Sequence, residues 1–200
     1  MAIESEQHPL QPFLPDGGRI LFLGSFPPPR ERWSMDFFYP NWINDFWRIM
    51  GLIHFDDKAY FENSDGGKRF NKEKIIEFAN TTGLAFYDTA TVVRRLRGNA
   101  SDEFLEIVQP TDIETLLQQM PLCHDIVTTG GKASEILQTL LTDAAGVAVP
   151  QPKIGGNTVL HAYGRTLRWW RMPSSSRAYP LKIEKKAECY KKVFLSTQIS

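Results

Sequence analysis

Three short groups of residues carry side chains and spacing suited to recognition chemistry: Gly24-Ser25-Phe26-Pro27, Gly130-Gly131-Lys132-Ala133 and Pro173-Ser174-Ser175-Ser176-Arg177. Glycine and serine leave backbone N–H groups open to a ligand, and serine adds a hydroxyl that both donates and accepts. Gly130 to Ala133 follows an apolar run and opens a helical pattern, a geometry compatible with phosphate and equally with a plain tight turn. The GxxxxGK[ST] spacing of a P-loop is missing. Ser174, Ser175 and Ser176 suit hydrogen bonding to phosphate, or form only a loop. Asp88 closes the run Leu84-Ala85-Phe86-Tyr87 and has two readings: it accepts a hydrogen bond from a ligand, or it caps the next turn.

Other chemistries lack their residues. There is no GxSxG, which argues against a serine hydrolase. His8, His54, His124 and His161 are scattered without ligand spacing, and Cys123 and Cys189 stand apart, so neither a metal site nor a structural disulfide is expected. No apolar run approaches the roughly 20 residues that cross a bilayer, and the polar start Met1 to Gln11 lacks a signal core; a cytoplasmic protein is expected.

These groups need a frame. Arg19 to Ser25 reads as a first strand that empties into a loop rich in rings: Phe26, Trp33, Phe37, Phe38, Tyr39 and Trp42. Such rings form a pocket for a flat ligand or a small satellite core. Asn44 is placed to cap a helix beginning over 44–50. Helices are predicted over 71–80, with Gly83 as the stop, over 112–120 with Thr111 as cap, over 132–141 and over 181–194. Further strands are predicted over 84–88, 125–129, 157–163 and 166–172, the last two forming a hairpin at Gly164-Arg165. Strands alternating with helices give an α/β fold: a three-layer α/β/α sandwich with a central, mostly parallel sheet. One domain over 1–200 is expected, with 1–15 as a flexible N-terminal arm. The strand ends Gly24-Ser25, Asp88-Thr89, Gly130-Gly131 and Pro173-Ser176 should meet at one sheet edge.

Net charge is zero, but residues 151–200 hold ten Lys or Arg against two acidic residues. Arg165, Arg168, Arg171 and Arg177 are candidates for contacts to a phosphate backbone, as is the basic loop Arg94 to Asn99; Lys182, Lys185, Lys186, Lys191 and Lys192 read as a solvated helix face.

The order of these motifs resembles the uracil-DNA glycosylase superfamily, most closely its hypoxanthine-DNA glycosylase branch, from about Arg19 to Phe194. In that branch the first motif reads Gly-Ser-Phe-Pro-Gly and the second Tyr-Tyr-Ala-His-Pro-Arg-Asn-x-Phe-Trp, here Phe38-Tyr39-Pro40-Asn41-Trp42-Ile43-Asn44-Asp45-Phe46-Trp47. The resemblance implies that Asn44 is the catalytic asparagine, that Tyr39 stacks on an extruded base with Ser25, Phe26 and Asp88 around it, and that Gly130, Lys132, Pro173, Ser174, Ser175, Ser176 and Arg177 hold DNA phosphates. Thr129 stands for the asparagine that precedes the family's Gly-x-Lys-Ala turn, Pro28 replaces a glycine, and Asn41-Trp42-Ile43 replaces His-Pro-Arg. The implied activity is that of a monofunctional DNA glycosylase that flips out and hydrolyses off uracil or hypoxanthine, using neither cofactor nor metal, with damaged DNA as partner and no membrane. The changed segment before Asn44 keeps open a catalytically altered member that binds nucleic acid or a nucleobase. Zero net charge leaves an unrelated small-molecule enzyme as a third reading.

Overall fold

The computed structural model describes residues 4–96 and 104–197. A five-stranded sheet runs in the order β3, β2, β6, β8, β7, built from β2 (Ile20–Gly24), β3 (Leu84–Asp88), β6 (Asp125–Thr129), β7 (Gly156–Ala162) and β8 (Arg165–Met172). β2 pairs in parallel with β3 and β6, β6 in parallel with β8, and only β7 runs antiparallel, as a hairpin arm of β8. β2 and β3 are buried at every residue, as apolar parallel strands covered on both faces must be. Tyr163 and Gly164 both take positive φ at the hairpin turn, one residue earlier than expected.

Helices cover both faces. α1 (Phe46–Phe55) packs on α5 (Ile183–Thr197), and Phe22 of β2 meets Phe46 and Phe194 from them. α2 (Lys72–Thr82) is capped by the Asn71 side chain and stopped by Gly83 at φ 68°. α4 (Gly131–Ala145) lies against β6 and β7. The short α3 (Ile113–Gln118) is capped by Asp112, not Thr111; the Thr111 hydroxyl instead donates to the carbonyl of Asp88 at 2.6 Å and fixes that strand end. Among the described residues no helix is long and apolar enough to cross a membrane.

A second, three-stranded antiparallel sheet was not anticipated. β1 (Glu6–Gln7), β4 (Ala90–Arg95) and β5 (Leu105–Pro110) pair in the order β1, β4, β5 beside the main sheet. Two expectations fall with it. The segment over 4–15 is packed rather than standing off as an arm: Glu6 pairs with Val93, and Phe13 bridges to Phe86 of β3. Arg94 and Arg95 lie in a strand, not a basic loop; Arg94 pairs with Glu106, while buried Arg95 reaches Glu6 at 3.0 Å and the carbonyl of Pro27. Arg97 lies outside the described residues.

The other arginines proposed for DNA also serve the fold. Arg165 binds the carbonyls of Leu117, Met120 and Cys123 at the end of α3. Arg168 makes a two-pronged pair with Asp125, and Arg171 reaches the carbonyl of Pro152. For Arg165 and Arg168, with three bonds each to carbonyls and a carboxylate, few donors are left for phosphate; Arg171, with one bond of 3.4 Å, keeps most of its own. Lys186 is the exception on the helix face expected to be solvated: it is 1% exposed and donates to the carbonyl of Ser176 at 2.7 Å.

Candidate active site

The carboxyl ends of β2, β3, β6 and β8 open on one cavity of about 740 Å³. Ser25, Phe26, Tyr39, Asn44, Asp88, Thr129, Ser174, Ser175 and Ser176 all line it. The topology explains the meeting: parallel strands end together, so loops remote in sequence share an edge.

Asn44 sits just before α1, and its backbone is pinned on several sides. Its N–H donates to the carbonyl of Asn41 at 2.8 Å, it bridges to Ser176, and the next N–H, of Asp45, donates to the carbonyl of Ser175 at 2.9 Å. Its side-chain oxygen accepts the N–H of Phe46 at 2.9 Å, an i to i+2 turn ahead of α1; the N-cap of that helix is Asp45, not Asn44 as expected, because the helix starts two residues later. That bond also sets which way the carboxamide faces. The amide nitrogen has no hydrogen-bond partner among the described residues.

Arg48, 6% exposed on the first turn of α1, clamps this segment from below. It donates to the carbonyls of Trp42 at 2.8 Å and Asn44 at 3.3 Å, pairs with Glu62 at 2.7 Å, and lies over the rings of Trp42 and Phe70. Burial lowers its pKa, and the nearby Glu62 and Asp45 carboxylates oppose that shift.

Tyr39 adopts φ 51°, an uncommon left-handed conformation for a bulky residue. Two contacts hold it there: the ring stacks on Phe46 at 3.8 Å between centroids and 5° between planes, and the hydroxyl bonds Thr129 Oγ1 at 2.9 Å. One ring face is thus covered by Phe46, and the residue lines the cavity. Burial raises the phenol pKa far above its usual value, with the Asp88 charge contributing, so Tyr39 stays neutral and is no base. Phe26 packs with Ala90, Val93 and Leu105 and stands 7% exposed at the cavity wall.

Asp88 does not cap a turn with its side chain. Its Oδ2 meets His8 Nε2 at 2.9 Å, and its Oδ1 lies over Gly24, where a Cβ would come within 2.4 Å of it. Gly24 is therefore needed for close approach rather than for its backbone angles. Next to it, Ser25 and Phe26 leave their backbone N–H groups without partners among the described residues, as does the Ser25 hydroxyl.

The serine loop divides. Ser174 and Ser176 line the cavity, and their hydroxyl oxygens accept the N–H groups of Ser176 and Ala178 at 3.2 Å, leaving both O–H bonds to donate outward. Ser175 is 3% exposed, the most buried of the three serines, and its carbonyl accepts the N–H of Asp45 at 2.9 Å, tying the loop to the start of α1. Pro173 is buried, its carbonyl accepting the Tyr190 hydroxyl at 2.9 Å. Gly130 takes φ 104° beside Ser174, at the start of α4, and Lys132 follows without lining the cavity. Arg177 is held through Nε by Asp45 at 2.8 Å; its terminal nitrogens have no partner among the described residues.

His8, Arg48 and Lys186 shape this site and were not anticipated from sequence. Lys186 had a signal: it falls on the same helical stripe as Ile183, Tyr190 and Val193. Arg48 had a weaker one, flanked by Phe46, Trp47, Ile49 and Met50 in a helix that is apolar all round. His8 had none, because its partner is eighty residues away.

The architecture is that of a uracil-DNA-glycosylase-like fold: a mostly parallel sheet flanked by helices, with its site at the strand ends. One solved structure that shares it is a solution NMR structure from Methanosarcina acetivorans bearing the provisional name uracil DNA glycosylase. The two agree with a TM-score of 0.61 over 94% of this chain and 96% of that one, at 20% identity, a likeness of fold. No family model matches the sequence, and neither does a curated protein.

Proposed function

We propose that this protein is a monofunctional DNA glycosylase that everts a deaminated base, uracil or hypoxanthine, and hydrolyses its N-glycosidic bond. The observation that carries the reading is the meeting of Asn44, Tyr39, Asp88 and Ser174 on one cavity, from three segments spread over 136 positions of chain. The provisional name of the Methanosarcina acetivorans structure points the same way.

Enzymes that act on a base in DNA take it out of the stack. The free face of Tyr39 receives it, a contact worth roughly 1–3 kcal/mol per base. Deamination turns a ring nitrogen that accepts into an N–H beside a carbonyl. The Asp88 carboxylate accepts that N–H, and the unengaged amides of Ser25 and Phe26 donate to the carbonyl. Adenine and cytosine would turn a lone pair toward the Asp88 oxygen instead and be refused, since an unmet or repelled polar group in a closed site is costly. Uracil and hypoxanthine share the same edge, and a cavity of about 740 Å³ admits either ring.

In the reaction the C1′–N bond breaks with its electron pair going to the base. Water adds its oxygen to the oxocarbenium-like sugar, and its proton is released, leaving free base and an abasic site. Asn44 cannot take a proton at neutral pH, so it orients. Its amide N–H donates to the departing base, and the lone pair that Phe46 leaves on its oxygen holds the water. Ser174, Ser176, Arg177 and the turn from Gly130 to Lys132 grip the flanking phosphates. Incubation with uracil- and hypoxanthine-containing oligonucleotides, single- and double-stranded, tests this by release of free base. The loss of the family arginine before Asn44 favours the second reading, a binding module, which would bind such DNA in a salt-sensitive manner and release nothing.

A further inference from the structure

The His8 imidazole is the least expected group at the cavity. It comes from the segment beside β1, its side chain is 2% exposed, and it touches the 11%-exposed carboxylate of Asp88 at 2.9 Å. It is wedged against Tyr87 at 4.6 Å and edge-on to Phe26 at 5.3 Å between centroids. Its other nitrogen, Nδ1, lies 2.9 Å from the carbonyl and 3.2 Å from the N–H of Leu10. As the neutral Nε2–H tautomer it accepts from Leu10 and donates to Asp88; as the cation it donates to both. In each form a proton on Nε2 faces Asp88 Oδ2.

We propose that His8 is a positioning residue that fixes Asp88 as a pure hydrogen-bond acceptor and so sets the preference for bases bearing a ring N–H. The inference rests on the glycosylase reading of the cavity. Donation to Oδ2 consumes one carboxylate oxygen and holds the other, Oδ1, over Gly24 at the cavity floor. A side-chain amide in that place could rotate and present either a donor or an acceptor. A carboxylate locked by an N–H donor cannot, so it discriminates by charge and lone pair alone. The packed rings around His8 prevent the imidazole from swinging away. The three-stranded sheet thereby acquires a role at the site: it carries the strand that brings His8 to Asp88.

The test compares wild type with His8→Phe, which keeps the ring packing but removes the donor, and His8→Gln, which restores one N–H. NMR titrations with deoxyuridine and deoxyinosine against deoxycytidine and deoxyadenosine, in which the glycosidic nitrogen carries no N–H, read the preference without requiring turnover, and base release from oligonucleotides is measured alongside. The expected result is a wild-type preference of tenfold or more for uracil over cytosine and for hypoxanthine over adenine. His8→Phe should lose most of it and His8→Gln recover part, with melting temperatures showing all three folded. An unchanged preference in folded His8→Phe overturns the proposal, as does a wild type with no preference. Failure of base release together with a His8-dependent preference would instead refute turnover while leaving the role of His8 standing. Should His8→Phe fail to fold, Asp88→Asn decides: retention of the full preference without the carboxylate overturns the proposal.

Discussion

Asp88 Oδ1 lies so close over Gly24 that a Cβ there would collide with it. The Asp88 carboxylate and the end of β2 at Gly24 are therefore in direct contact, so a side chain at Gly24 must displace one of them. Gly24→Ala must push the carboxylate or the strand aside. It is expected to destabilise by about 1–3 kcal/mol, the usual range for overpacking, as read by urea unfolding. Release of uracil or hypoxanthine should fall at least tenfold even at temperatures where the variant is folded.

Arg48→Met tests the clamp beneath Asn44. The substitution strands Glu62 and the carbonyls of Trp42 and Asn44, all bound by the guanidinium. Removing one partner of a buried pair typically costs about 3–5 kcal/mol. Thermal unfolding should show most of that loss, and Arg48→Met with Glu62→Gln should recover part of it in a double-mutant cycle.

Lys132 and Lys186 should separate contact with DNA from support of the loop. Lys132 opens α4 beside the serine loop, whereas Lys186 is buried with its ammonium on the carbonyl of Ser176. Lys132→Ala is expected to weaken DNA binding and reduce the slope of log K against log salt by about 1. Lys186→Met should leave the slope alone and lower stability by about 1–3 kcal/mol through the orphaned carbonyl. Binding isotherms at several salt concentrations check both.

His54 gives a pH dependence independent of the site. Its Nε2 is buried without a partner between Phe78 and Phe194, and burial lowers its pKa from 6.5 to about 4. The folded state thus resists a proton that the unfolded chain accepts. Its contribution is fully present above pH 6.5, declines as pH falls toward 4, and is constant below. Allowing for partial solvent screening, the decline should be about 1–2 kcal/mol. His54→Phe should remove that part of the difference between unfolding curves at pH 7 and pH 4.5.

The main sheet was legible because its strands are short apolar runs closed by small or polar residues, and Leu84–Asp88 and Asp125–Thr129 fall where the pattern puts them. The second sheet was not. Glu6–Gln7 is two polar residues, and β4 starts one residue after β3 ends, so no turn signal separates them. Arg95 read as exposed because a buried guanidinium depends on partners, Glu6 and Pro27, that only the tertiary fold supplies. At the site, the common edge followed from parallel strands. The burial of Ser175 against the start of α1 and the pairing of His8 with Asp88 followed from contacts across long stretches of chain, which spacing along the sequence does not encode.

The most direct test is single-turnover base release by wild type and Asn44→Ala from duplexes carrying uracil or hypoxanthine. The expected result is release of at least one of these bases by wild type. A loss of about 10²-fold or more is expected in Asn44→Ala, the scale seen when one positioned transition-state donor is removed, with DNA affinity changed only a few-fold. Wild type that binds such duplexes and releases neither base, or Asn44→Ala that retains the wild-type rate, would contradict the account.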